Sequence, residues 1–168
     1  MTGPDAERII ARGIRVLGAE REALARTEAH LGASFAHAVE LIMQSRGRVL
    51  VTGVGKSGHI GAKIASTLTS TGTAATFLHP VDGLHGDLGL VGEDDVAILI
   101  SKSGESAELV SLLDHLKRFG VKTIAITGVP DSTIARGAEY VWNGSWVFAT
   151  TPFITYVISP AAMAWCTA

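Results

Sequence analysis

Five short apolar runs punctuate the middle of this chain: RVLVTG (48–53), TAATFLH (73–79), DDVAILIS (94–101), VKTIAITG (121–128) and EYVW (139–142). In the clearest of them, apolar residues are consecutive rather than alternating, the mark of a strand covered on both faces. The intervening segments read as helices over 58–70, 105–119 and 131–137. Buried strands alternating with helices are joined by right-handed crossovers, which makes the sheet parallel. Ahead of the first run, 5–30 reads as a helix with an apolar stripe of Ile9, Ile10, Ile14, Val16, Leu17, Leu24 and Leu31. Ser34 is positioned to cap a second helix through Phe35, Val39, Leu41, Ile42 and Met43, which Gly47 closes. The expected fold class is α/β, a single three-layer α/β/α sandwich with a parallel sheet of about five strands and N-terminal helices.

At 168 residues the chain suits one domain with one core, and 47% apolar against 18% charged residues argues against disorder. A formal net charge of −2 leaves no basic footprint for nucleic acid. The single cysteine, Cys166, excludes an intramolecular disulfide, and no Cys/His spacing marks a metal site. The charged N-terminal segment lacks the apolar core of a secretory leader, so a cytoplasmic location is expected. From Tyr140 to Ala168 no charged residue occurs, and all three tryptophans fall there. That stretch is long enough to span a bilayer, yet it carries two prolines and several hydroxyl residues without a basic flank. A buried or subunit-facing segment is expected, with no membrane partner. Residues 1–142 are read as the ligand-binding domain and 143–168 as this uncharged segment, packed on the domain or at a subunit interface.

In open parallel sheets, ligands bind beyond the carboxyl ends of the strands. Three segments emerge there: TGVGKSGH (52–59), HPVDGLHGDLG (79–89) and SKSGES (101–106). Gly53 to Gly58 fits the pattern GxGxxG between a strand and a helix, as a dinucleotide fold requires. Such a fold also places an acidic residue about 20 positions on, and none occurs between Glu40 and Asp82. The triphosphate loop GxxxxGK[ST] would need glycine where Leu50 stands. What survives is a glycine turn whose amides, with Lys56 and Ser57, are able to hold an anion at a helix start, against the blander alternative of a tight turn with a solvent-facing lysine.

Ser101, Ser103 and Ser106 sit at i, i+2 and i+5 after the most convincing strand, a neutral cradle suited to a sugar monophosphate. Ser103 as a helix N-cap is the competing explanation, but it leaves the other two serines unexplained. Glu108 shares a face with Leu112, Leu116 and Phe119, a costly place for a carboxylate without a purpose. Burial there would raise its pKa toward that of a useful base, while the helix dipole opposes the shift. The alternative is an ordinary first-turn glutamate beside Glu105. His85, between Leu84 and Gly86, is placed for ligand contact; His59, His30, His37 and His115 carry weaker signals.

VTGVGKSGHIGAKIASTLTSTGTAATFLHPVDGLHGDLG, ISKSGESAEL and IAITGVPDSTIARGAEYV together resemble the SIS (sugar isomerase) domain of the D-arabinose 5-phosphate isomerase family. The resemblance covers most of residues 1–142. It implies the SIS fold, a homo-oligomer (commonly a tetramer), and interconversion of ribulose 5-phosphate and arabinose 5-phosphate in the supply of the lipopolysaccharide sugar Kdo. It implies catalytic Lys56, His85 and Glu108, with Gly55, Ser57, Ser101, Ser103 and Ser106 binding the substrate, and no metal or organic cofactor. After Val141 the family continues with an acidic segment, a second phosphate loop and a further histidine motif, and many members add paired CBS modules. Here the tail reads WNGSWVFATTPFITYVISPAAMAWCTA, divergent or truncated. Two readings therefore stand beside each other: an active pentose-phosphate isomerase, and a SIS module that binds a sugar phosphate without turnover. A hexulose 6-phosphate isomerase is a third on the same scaffold.

Overall fold

The computed structural model describes residues 4–143. Five strands form one parallel sheet: β1 (Val49–Gly53), β2 (Ala75–Phe77), β3 (Val96–Ser101), β4 (Lys122–Thr127) and β5 (Tyr140–Asn143). Their spatial order is β2-β1-β3-β4-β5. Each falls within or against one of the five apolar runs. The helices are α1 (Pro4–Glu28), α2 (Ala33–Gln44), α3 (Lys56–Ser70), α4 (Pro80–Leu84), α5 (Ala107–Arg118) and α6 (Thr133–Gly137), with a 3-10 turn at Asp87–Leu90. α4 and the 3-10 turn fall between the second and third apolar runs, where no helix was expected.

The strand residues divide between two cores by pleat parity. Val49, Val51, Val96, Ile98, Ile100, Ile124 and Ile126 pack with Val39 and Ile42 of α2 and Ile64 and Leu68 of α3. Leu50, Ala97, Leu99 and Ala125 pack on the other face with Leu109, Leu112, Leu113 and Leu116 of α5 and Ile134 of α6. All six residues of β3 are buried, which is why that run carried the strongest strand signal. Fully burying one such leucine or isoleucine stabilises the fold by about 1.5–3 kcal/mol before entropy is counted.

The chain leaves β1 for β2 on one side and later moves from β3 to β4 on the other. Right-handed crossovers then put α3 and α5 on opposite faces. A crevice opens where the direction reverses, at the carboxyl ends of β1 and β3, the position at which sheets of this order take their ligands.

The N-terminal expectations need correction in three places. The cap of α2 is Gly32, with no side-chain cap bond. Ser34 instead donates its hydroxyl to the Val141 carbonyl at 2.7 Å, tying α2 to β5, where the Phe35 ring lies tilted at 55° against Trp142 with centroids 5.0 Å apart. α2 ends at Gln44, and Gly47 donates its amide to the Asp94 carbonyl at 3.1 Å in the approach to β1. The α1 stripe is not covered by the rest of the described chain: Ala23 is buried, but Ile14 and Leu17 are each 65% exposed. No helix among the described residues is long and apolar enough to cross a membrane. The segment beyond Asn143, expected to be buried or subunit-facing, lies outside the described residues.

Candidate functional site

β1 ends at Gly53 and α3 begins at Lys56, so the intervening turn is very short. Gly55 occupies the cap with φ 57° and ψ −125°, a conformation that side chains rarely adopt, and no side chain caps α3. Gly58 lets the helix sit directly over the strand end, since a Cβ there would lie 2.7 Å from the Gly53 carbonyl oxygen. The three glycines of the motif thus serve close packing and a tight turn. Their consequence is a helix start whose first amides have no side chain over them.

The loop after β3 repeats that outcome by other means. Ser101 is buried, and its hydroxyl accepts from the Gly104 amide at 3.0 Å and lies 3.2 Å from the Ser106 hydroxyl. Ser103 accepts from the Glu105 amide at 3.3 Å. The cap of α5 is Ser106, not Ser103, and its hydroxyl makes no cap bond. It turns toward Ser101 instead. The competing explanation for Ser103 therefore falls, and a second helix, twelve residues long, opens at the same sheet edge without a side-chain cap.

Between these two helix starts lies a cleft of about 460 Å³. Ser57, Ser101, Ser103, Ser106 and Lys102 form its polar lining, and Val54, Ile100 and Val129 supply apolar walls. The four serines expected to bind substrate are brought together. Gly55 is exposed at the turn and does not line the cleft. Lys102 adds a cation to a cradle read as neutral. Val54, Ile100, Lys102 and Val129 were not anticipated. Val129 follows β4, and its place at a third strand's carboxyl end was the signal available for it.

Lys56, His85 and Glu108 are all exposed, on segments that leave the carboxyl ends of β1, β2 and β3, and none lines this cleft. His85 follows α4 as its C-cap, donating its amide to the Val81 carbonyl at 3.0 Å. α4 in turn packs close to α5, with Gly83 against Leu112. The reading of Glu108 as part of the buried stripe is overturned. Leu109 takes the inward place beside Leu112, Leu113 and Leu116, and Phe119 is 49% exposed. The desolvation argument for Glu108 goes with it. Among the described residues, no group of three or more His, Cys, Asp or Glu side chains is gathered that could hold a metal.

Residues 26–143 match the SIS domain family. The chain belongs to that family. This SIS domain is 48% identical over 125 residues to arabinose 5-phosphate isomerase KdsD of Pseudomonas aeruginosa, covering 74% of this chain and 38% of that one. It is 49% identical over 127 residues to the KdsD of Escherichia coli O6:H1, covering 76% and 39%. The chain thus spans about two fifths of the length of these curated relatives. Among solved structures it resembles c3406 of E. coli CFT073 in complex with arabinose 5-phosphate, with a TM-score of 0.81 at 29% identity, covering 100% of this chain and 95% of that one. The three-layer α/β SIS architecture read from the sequence is the one observed.

Proposed function

We propose that this SIS domain binds a pentose 5-phosphate in the cleft between β1 and β3 and interconverts D-ribulose 5-phosphate and D-arabinose 5-phosphate. The observation that carries the reading is the convergence of two uncapped helix starts and four serines on one small opening at the switch point of the sheet. Free amides and hydroxyls suit a phosphate dianion, and Lys102 supplies charge. The likeness to KdsD proteins supplies the pentose and the reaction. The proposed chemistry moves one proton between neighbouring carbons. A base removes a C1 proton from the ketose, giving a cis-enediol, and the proton returns to C2 while the hydroxyl proton passes from O1 to O2. Glu108 is proposed for the base, with His85 as its rival, and Lys56 for the oxygen on which charge develops. No metal or organic cofactor takes part in this scheme.

The second reading, binding without turnover, is favoured by one observation: the four serines line the cleft, while Lys56, His85 and Glu108 do not. We further propose that the domain works in the cytoplasm as a homo-oligomer, with a small-molecule partner and neither nucleic acid nor membrane, and that its product feeds Kdo synthesis. The exposed apolar stripe of α1 supports the oligomer, and light scattering returning a clean monomer would remove that element.

The test is incubation of the purified chain with ribulose 5-phosphate, resolving arabinose 5-phosphate from other pentose phosphates. Turnover that drops at least ~100-fold in Lys56→Ala and Glu108→Ala is the expected result. Saturable binding without turnover would establish the second reading, and neither binding nor turnover would remove both.

A further inference from the structure

Glu105 stands one residue before the cap of α5, exposed to solvent, where a glutamate side chain ordinarily has nothing to hold it. Here one carboxylate oxygen accepts the Thr133 amide at 2.8 Å. Thr133 opens α6, and the first amides of a helix have no acceptor within it. The neighbouring amide, Ile134, donates to the Gly104 carbonyl at 3.0 Å, and Ala135 donates to Ser132 at 3.4 Å. Two of the first three α6 donors are therefore met by the serine loop rather than by α6's own cap. The Gly128 amide adds a bond to the Lys102 carbonyl at 3.1 Å.

The other end of Glu105 faces the site. Its own amide donates to the Ser103 hydroxyl, so a single residue is bonded to a cleft-lining serine on one side and to α6 on the other. We propose that Glu105 is a positioning residue for the phosphate cradle, its carboxylate anchoring the serine loop to the start of α6. The carboxylate suits this role because it is held ionised: the Thr133 side-chain and backbone bonds outweigh the upward push of burial and, with a lesser pull from Arg136, draw its pKa below the ordinary value. An alanine would leave the Thr133 amide without that acceptor and release the backbone that orients Ser103. A glutamine keeps an oxygen in reach of the amide. What the loop holds rests on the pentose-phosphate reading; the anchor itself does not.

The experiment compares the full chain with Glu105→Ala and Glu105→Gln, reading steady-state kinetics on ribulose 5-phosphate and backbone hydrogen exchange over 101–106 and 133–137. Glu105→Ala is expected to raise KM about fivefold or more with kcat within about twofold, and to speed exchange in both segments, while Glu105→Gln stays close to the parent. A parental KM in Glu105→Ala overturns the proposal even if its thermal stability falls, because the residue would then be merely structural. Unchanged exchange in both segments overturns it as well. Should the parent chain neither bind nor convert pentose phosphate, the functional reading fails on its own, and exchange alone decides whether the anchor exists.

Discussion

A methyl group on Gly104 would be driven into Ser132, 1.9 Å from its hydroxyl oxygen and 2.4 Å from its Cβ, with the backbone held at φ 67°. Both the strain and the collision fall on the loop that carries Ser101, Ser103 and Ser106. Gly104→Ala is expected to destabilise the chain by about 2–3 kcal/mol and to weaken phosphate binding, as read by urea unfolding and by calorimetry with arabinose 5-phosphate. An unchanged unfolding midpoint would contradict the packing described. At this scale the gathering of the serines was legible, because Ser101, Ser103 and Ser106 fall within six residues at the end of a buried strand. Glu108 was misread for a geometric reason. At 100° per residue it lies about a quarter turn from the centre of the stripe formed by Leu109, Leu112, Leu113 and Leu116, and spacing to Leu112 and Leu116 alone cannot distinguish the stripe from its edge. Lys102 and Val129 had no periodic signal to reveal them.

One carboxylate reinforces the ladder between β4 and β5 at its start. Glu139, just before β5, accepts from the Thr123 amide at 2.5 Å, the Thr123 hydroxyl at 3.1 Å and the Lys122 ammonium at 3.1 Å. Burial pushes its pKa up, but the Thr123 bonds and Lys122 outweigh that, and the net shift is downward. A carboxyl whose folded pKa lies below its unfolded one contributes stability that is complete above the unfolded value and lost as pH falls through the folded one. Glu139→Gln is therefore expected to cost about 1 kcal/mol at neutral pH, and the gap from the parent should narrow as pH falls below the ordinary glutamate value and through the lowered folded one. Thermal unfolding of both proteins across that range reads it, and a gap independent of pH would contradict the assignment. The strands themselves were legible element by element. α4 was hidden because Pro80, Asp82 and Gly83 are turn residues, and Pro80 at a helix start looks the same as Pro80 in a loop. The Ser34 cap failed because its hydroxyl serves a strand 107 residues away, a partner no local pattern contains.

Across the whole molecule, the sequence announced a parallel sheet but not the order β2-β1-β3-β4-β5, since strand order is fixed by which helices cover which face. That order brings the glycine turn after β1 beside the serine loop after β3 and sets two modest motifs on one cleft. The apolar stripe of α1 shows the opposite limit: its pattern was plain, yet nothing local could tell whether the chain itself would cover it. A crystal structure of the chain with arabinose 5-phosphate would show whether the crevice at this switch point holds the phosphate. The phosphate is expected within hydrogen-bond distance of at least two of the Ser57, Ser101, Ser103 and Ser106 hydroxyls. A sugar phosphate bound elsewhere, or a cleft left empty at saturating ligand, would contradict it.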